Sequence, residues 1–328
     1  MSEHVTAVLS RRKVVVAGAF GAAIAATAVR AQASYPMKPV RVVVPFPAGT
    51  SPDVIARLWG QRFTKATGQA VVVENKAGAA TIVGTQAVLA SPADGYTLLW
   101  TVNNTFSINP YTYKKLPYKA DDFVPVTRIL SVPYVLFVSA DSKLRSLDDL
   151  VREAKARPGQ MNYASAGIGT GLHVALARLL NAAGVTMTHV PYKESFVPDV
   201  IAGRIDVAYD ASTGAIPNQK AGKIRALAVS GAKRIDVLPE VPTVGETFAG
   251  YIGDSWHGIF AAKGTPDDVV AFIAAQSKAI VDDPEFRAKL RDYGLTPVNE
   301  GPAEFRRFLT EDARGWAKVV KDNGISAE

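Results

Sequence analysis

Twice in this 328-residue chain a β-branched run feeds a small-residue loop that opens a helix, and this repeated unit limits the fold more than any other feature. In the first copy Val40, Val42, Val43, Val44 and Phe46 make a nearly unbroken apolar run, the composition of a strand covered on both faces. Pro45, Pro47, Ala48 and Gly49 stop it, and Thr50, Ser51 and Asp53 stand where helix N-caps are favoured, ahead of Val54, Ile55, Leu58 and Trp59. In the second copy residues 161–165 read as strand, residues 166–171 as a glycine loop and residues 172–183 as helix. There Leu176-Ala177-Arg178-Leu179 parallels Ile55-Ala56-Arg57-Leu58, and Gly184 ends the helix as Gly68 ends the first. A strand that feeds a glycine loop and a helix start presents unpaired N–H groups and a positive dipole end above the sheet. Each copy is therefore a candidate anion seat.

The rest of the chain extends both units. Residues 70–74 form the next strand, followed by a second small-residue loop through Gly78, Ala79, Ala80 and Thr81, and residues 96–101 form a third, with Thr101, Asn103, Asn104 and Thr105 at its end. Ligands bind at the carboxyl ends of strands in open parallel sheets, so these three loops are expected on one rim. Strands at residues 185–190, 205–209 and 224–230, with helices between them, build the second unit. The fold class expected is α/β, with two mainly parallel sheets flanked by helices. Thr265 and Pro266 are expected to cap and open a further helix. The helical tail carries the apolar stripe Phe305, Phe308, Leu309, Trp316 and Val319 and is expected to return to the first unit.

Residues 1–33 have the order of an export signal: Arg11, Arg12 and Lys13, then the apolar residues 14–29, then Ala31-Gln32-Ala33. The apolar run has 16 residues, whereas a spanning helix needs about 20, so cleavage near Ala33 is favoured over a retained anchor. The paired arginines suggest the twin-arginine route. The chain has no cysteine, which excludes disulfides, thiolate metal sites and a cysteine nucleophile. Its formal charge is +7. Setting aside the leader's Arg11, Arg12, Lys13 and Arg30 against Glu3 leaves +4, and no basic block is interleaved with aromatics, so nucleic acid is not an expected partner.

Catalytic templates fit poorly. Gly167, Gly169 and Gly171 resemble a dinucleotide fingerprint, but the third glycine comes one residue early and His189 stands near where an acid belongs. Neither a G-x-S-x-G elbow nor an H-E-x-x-H motif occurs, and His173, His189 and His257 have no metal spacing. No cofactor and no metal are expected. His173 is placed either to touch a ligand or to make a structural hydrogen bond. Asp210, at a strand's carboxyl end, either caps the next helix or meets a ligand's polar group. Asp53 and Arg57 are spaced as a helix-face ion pair.

Several longer motifs carry a family resemblance. They are Tyr35-Pro36 with Lys38-Pro39-Val40-Arg41, Pro45-Phe46-Pro47-Ala48-Gly49 with Asp53, and Val73-Glu74-Asn75-Lys76 with Gly78-Ala79. Asp94-Gly95-Tyr96-Thr97-Leu98-Leu99, Asn162-Tyr163-Ala164-Ser165, His189-Val190-Pro191-Tyr192-Lys193, residues 221–229 and Val241-Pro242-Thr243-Val244 extend it over the whole mature chain. Together they resemble the Bug-type solute receptors of tripartite tricarboxylate transporters. The resemblance implies a two-lobed, type II-like periplasmic binding protein with its ligand cleft between the lobes. It implies no enzyme activity. Residues 34–135 plus 255–328 would form one lobe and residues 136–254 the other. A small carboxylate, aliphatic or aromatic and most simply a dicarboxylate, would be captured by closure, the protein acting as a monomer.

Phe46, Ala48, Gly49, Thr50, Ser51, Asp53, Ala79, Ala80, Thr81, Thr101, Asn103 and Asn104 would hold one end of the ligand. Ser165, Ala166, Gly169, Thr170, His173 and Asp210 would hold the other. Thr50 and Thr81 depart from the family's usual glycines and are expected to narrow the cradle and add hydroxyl donors. The partner would be the membrane subunits of such a transporter. A sensor receptor is the alternative partner, and an exported enzyme acting on a carboxylate the alternative class.

Overall fold

The computed structural model describes residues 35–327, so the expected export signal lies outside the described residues. The chain divides into Met1–Met37, in which the Tyr35–Pro36 peptide is cis, and Lys38–Glu328, which holds both sheets.

The opening run becomes β1 (Val40–Val44), with Val40, Val42, Val43 and Val44 fully buried. Helix α1 (Ser51–Thr67) buries Ile55, Ala56, Trp59 and Phe63 and ends where Gly68 turns left-handed (φ 74), returning its N–H to the Thr64 carbonyl. Strand β2 (Val71–Asn75), α2 (Ile82–Leu89), β3 (Thr97–Val102), α3 (Asn109–Thr112) and β4 (Phe123–Val132) follow. Strands β2 and β3 flank β1 in parallel, Val42 lying opposite both Val73 and Leu98. The loops after all three strands therefore leave one edge of the sheet.

Beyond Pro133 the chain enters a second sheet with β5 (Tyr134–Ser139), α4 (Leu147–Ala156), β6 (Asn162–Ser165), α5 (Gly171–Ala183) and β7 (Thr188–Pro191). It continues through α6 (Val197–Ile201), β8 (Val207–Ala211), α7 (Ser212–Lys220), β9 (Ile224–Val229) and α8 (Val244–Thr247). After Asp254 it returns as β10 (Ser255–Ala262), α9 (Asp267–Asp282), α10 (Pro284–Asp292), β11 (Thr296–Glu300) and α11 (Pro302–Asp322). The sheets run β11-β4-β10-β3-β1-β2 and β7-β6-β8-β5-β9. Asp254 ties the crossovers together, accepting from Ser131 Oγ (3.1 Å) and Ser230 Oγ (2.6 Å). Burial pushes its carboxyl up to about 6 against the pull of those two donors.

The α/β, two-sheet architecture agrees with the sequence reading, but the pairing is mixed rather than mainly parallel. Parallel ladders β3-β1-β2 and β7-β6-β8 are joined to antiparallel neighbours, because β10 inserts antiparallel between β3 and β4, and β5 runs antiparallel to β8 and β9. Sequence pattern does not announce β10. All eight of its residues are buried, so it lacks the alternation that marks a half-exposed strand. Helix α9 also begins one residue later than expected, with Pro266 as its cap, and the Thr265 hydroxyl donates back to the Ala262 carbonyl.

One core lies against the first sheet, where Val43, Leu99, Phe106, Trp256, Phe260 and Phe305 pack together. Helix α11 contributes Phe305 to it, and contributes Trp316, Val319 and Val320 to the second sheet's core with Leu136, Val174 and Leu179. The tail helix therefore packs against both sheets.

Candidate functional site

At the end of β1 the loop is shaped by Asp53. One carboxylate oxygen accepts from the Gly49 N–H (2.9 Å), and the other from Arg57 Nε (2.9 Å) and Asn75 Nδ2 (2.9 Å). Asn75 Nδ2 also reaches the Phe46 carbonyl (3.0 Å), fastening the β2 end to the β1 end. Burial opposes the charge on Asp53, but the donors from Arg57, Gly49 and Asn75 outweigh it and hold the carboxyl below its usual range. Gly49 has φ 81, a left-handed conformation that glycine adopts at little cost. Pro47, Ala48 and Gly49 are exposed at the rim. The Thr50 hydroxyl donates to the Pro47 carbonyl (2.7 Å), and Ser51 Oγ lies 3.5 Å from Nε2 of the buried His257.

After β2 the chain makes a left-handed turn, Ala79–Thr81, in which three consecutive non-glycine residues have positive φ: 44, 46 and 84. Such a conformation costs an L-residue on the order of 1–2 kcal/mol, so something must hold it. Beneath it lies a buried polar network. Thr105 Oγ1 donates to Thr81 Oγ1 (2.9 Å) and pairs with Thr101 Oγ1 (2.6 Å), while Asn109 Nδ2 donates to the Ala80 carbonyl (2.7 Å) and the Tyr118 hydroxyl (3.0 Å). Tyr118 in turn donates to the Thr105 carbonyl (2.8 Å), and burial pushes its phenol up to about 12.

The second rim is built over a stack of rings. Tyr163, at β6, lies 4.9 Å from the His189 ring, which lies 3.9 Å from His173 with an interplanar angle of 8°. His173 Nδ1 accepts from the Gly169 N–H (3.1 Å), and His189 Nε2 pairs with Ser165 Oγ (2.7 Å). Burial, reinforced by His189, pushes His173 down to about 3, and burial pushes His189 down to about 4, so both rings are neutral near pH 7. A neutral His173 can accept at Nδ1 only if Nε2 carries the proton.

The two rims meet at Asn104. Its Nδ2 donates to the Gly169 carbonyl (3.2 Å), and its Oδ1 accepts from the Gly171 N–H (3.0 Å) at the first residue of α5. Asn103 beside it accepts from Ser255 Oγ (2.9 Å), and its own Nδ2, fully buried, has no hydrogen-bond partner. In the Gly167-to-Gly171 loop the expected N–H cradle is engaged within the protein. Gly167 donates to Ser165 Oγ, Gly169 to His173, Thr170 to the Gly167 carbonyl and Gly171 to Asn104.

Among the residues singled out from the sequence, Asn104 and Gly169 are brought into direct contact across the rims. Phe46 is half-buried, and Ala48, Gly49, Ala79 and Ala166 are exposed along the rims. The side chains of Asp53, Thr81, Thr101, Ser165 and His173 are buried and occupied by other protein groups. The Thr50 hydroxyl differs from expectation, because it donates to the Pro47 carbonyl rather than standing free, whereas the buried Thr81 Oγ1 accepts from Thr105 and Asn109. Thr170 Oγ1 likewise donates to the Gly167 carbonyl (2.8 Å).

Asp210 is half-buried and accepts from the Ala211 N–H (2.8 Å); a Cβ at Gly214 would meet its carboxylate at 2.4 Å, so it packs on the first turn of α7. Burial pushes it up to about 6, with the Ala211 N–H opposing. Sequence reasoning put Thr105 at the end of the third strand without assigning it to the site, and overlooked Asn109, Tyr118, Tyr134 and Ser255. Only the turn-forming Asn109-Pro110 pair gives a local signal, and it says nothing of what the amide reaches. Among the described residues no group of three His, Asp or Glu is placed to hold a metal ion.

Residues 55–325 match the family model described as the tripartite tricarboxylate transporter family receptor. A UPF0065 protein from the tcbD-tcbE intergenic region of Pseudomonas sp. strain P51 is 35% identical over 97% of this chain and 96% of its own. Among solved structures, R. palustris Rpa4515 with adipate superposes with a TM-score of 0.84 at 32% identity, covering 89% of this chain and 99% of that one. The periplasmic binding protein BugD gives 0.80 at 31% identity, again covering 89% and 99%.

Proposed function

Because this chain belongs to the tripartite tricarboxylate transporter receptor family, we propose that it captures a small dicarboxylate between two lobes in the periplasm and hands it to the membrane subunits of such a transporter. It acts by binding and release, without turnover. The two lobes follow the bounds expected from the sequence, residues 34–135 plus 255–328 and residues 136–254, except that Tyr134 and Val135, which belong to β5, go with the second. The observation that carries this reading is the Asn104 side chain, which spans from the carboxyl end of β3 to both Gly169 and Gly171 at the start of α5. A contact that joins two loop rims through one amide is what a closing cleft needs.

The exposed residues 47–49 and 77–79 receive one carboxylate through backbone N–H groups other than that of Gly49, which Asp53 holds, on a surface shaped by the turn Ala79–Thr81. The second carboxylate is held at residues 165–170, where ligand binding exchanges some of the internal N–H bonds for bonds to the ligand. Asp210 sits beside this end as a helix anchor. Charge-assisted hydrogen bonds contribute about 1.5–3 kcal/mol each, and micromolar affinity corresponds to about 8 kcal/mol. Four or five such bonds suffice without an arginine clamp. The adipate-bound relative supports the dicarboxylate class.

The test is calorimetric titration of the purified protein against adipate and a panel of aliphatic and aromatic mono-, di- and tricarboxylates. Saturable heat with a dicarboxylate is expected. Absence of heat and of any thermal shift across the panel would sink the proposal.

A further inference from the structure

We propose that Asn109 is a positioning residue that locks the left-handed turn Ala79–Thr81 in the shape that receives the ligand, taking over the work that glycine would do there. The inference rests on the reading that this turn lines the carboxylate seat. Three residues with side chains occupy a backbone region that disfavours them, with φ of 44, 46 and 84. A glycine would adopt these angles unaided. Ala79, Ala80 and Thr81 hold them only while the surroundings keep the turn in place.

Asn109 is the group best placed to do so. It is fully buried at the start of α3, 28 residues from Thr81 in sequence. Its amide donates to the carbonyl of Ala80, the middle residue of the turn, at 2.7 Å, and lies 3.3 Å from Thr81 Oγ1. Its orientation is dictated by its neighbours. The Ala80 carbonyl can only accept, and the Tyr118 hydroxyl gives its proton to the Thr105 carbonyl and so also needs a donor. The NH2 group must therefore face them, which leaves Asn109 Oδ1 buried without a partner. An amide that tolerates an unsatisfied oxygen in order to satisfy the turn is arranged for the turn. Thr105 Oγ1 to Thr81 Oγ1, and Thr85 Oγ1 to the Thr81 carbonyl (2.9 Å), hold the next residue.

The test compares Asn109→Leu, which keeps the branched shape of the side chain and removes the donor, with the double variant Asn109→Leu/Ala80→Gly. With adipate as titrant the single variant is expected to bind at least about tenfold more weakly, which is about 1.4 kcal/mol. The glycine double variant is expected to recover most of that loss. Rescue separates positioning from general support of the fold, because glycine at position 80 relieves backbone strain and restores no packing. Amide exchange of residues 79–83 in the free protein is a readout independent of ligand. It should accelerate at least about tenfold in Asn109→Leu, with α5 unchanged. Tyr118→Phe, which removes the hydroxyl between Asn109 and Thr105, gives a milder change in the same direction should the leucine variant fold poorly. Unchanged exchange in either folded variant, or a double variant no tighter than the single, overturns the proposal. Failure of the wild-type protein to bind any carboxylate would instead remove the functional reading and leave the exchange result to decide the role of Asn109.

Discussion

Gly171→Ala probes the contact between the rims with a single methyl group. Gly171 opens α5, and in a helix alanine is favoured over glycine by about 0.5–1 kcal/mol, so the substitution by itself should stabilise. Its surroundings argue the reverse. A Cβ there would stand 2.6 Å from the Tyr134 hydroxyl, 3.0 Å from Asn103 Oδ1 and 3.2 Å from Asn104 Oδ1. None of the three is a loose end: Tyr134 is 5% exposed, Asn103 Oδ1 accepts from Ser255, and Asn104 Oδ1 accepts from Gly171 itself.

Overpacking of this kind costs about 1–3 kcal/mol. Escape by parting the rims gives up the two Asn104 bonds, at about 0.5–1.5 kcal/mol each. Less the helix gain, the net is about 1–2 kcal/mol, or roughly a 5- to 30-fold loss of carboxylate affinity, with an unchanged far-UV spectrum. Calorimetry measures the affinity, and thermal unfolding of the free protein measures any loss that precedes binding. Because the nearest atom is the Tyr134 oxygen, Tyr134→Phe should restore much of the affinity of Gly171→Ala. A single variant that binds and melts like wild type, or a double variant as weak as the single, would refute the placement of this contact in the ligand-holding form.

Three further outcomes are expected. Asp53→Asn turns an acceptor of three protein donors into a mixed group facing them. At about 1–3 kcal/mol for an unsatisfied buried partner, the melting temperature should fall by roughly 5 °C, and an unchanged melting point would mean that the loop does not depend on this carboxylate. Gly258→Ala places a Cβ 2.4 Å from the Phe305 ring in the first core, so the urea midpoint should drop by the equivalent of about 1–3 kcal/mol with the slope unchanged; a midpoint within error of wild type contradicts the packing. His173, His189 and His257 are pushed down to about 3, 4 and 3 by burial, His173 also by His189. Between their ordinary value of about 6.5 and pH 4 the unfolded chain takes protons that the fold refuses, so these histidines make stability fall as pH falls. Asp210 and Asp254, raised to about 6, act in the opposite sense over pH 4–6. Replacing His189 with Gln should flatten the decline, and a denaturation series with the same slope in both proteins would show that the stack does not titrate.

What the sequence determined by itself is local. The β-branched run of β1, the left-handed glycines at 68 and 184, and the cap of Ser146, whose hydroxyl accepts from the Asp149 N–H, all follow from the backbone preferences of a few neighbouring residues. So does the order of strand, loop and helix that puts three loops on one edge. The tertiary structure decided which polar atoms remain free. Thr50 looked like a free donor because a hydroxyl at a rim is one by default, yet it is turned to Pro47, and the Thr81 oxygen is buried as the acceptor of Thr105, 24 residues away. Asn104 reaches α5 across 67 residues of chain, and β10 inserts between β3 and β4 from more than 120 residues further on. Local propensity carries no information about such partners. They are chosen only when burial removes water as the alternative hydrogen-bonding partner, and then each buried donor and acceptor must find its complement in whatever the fold brings alongside.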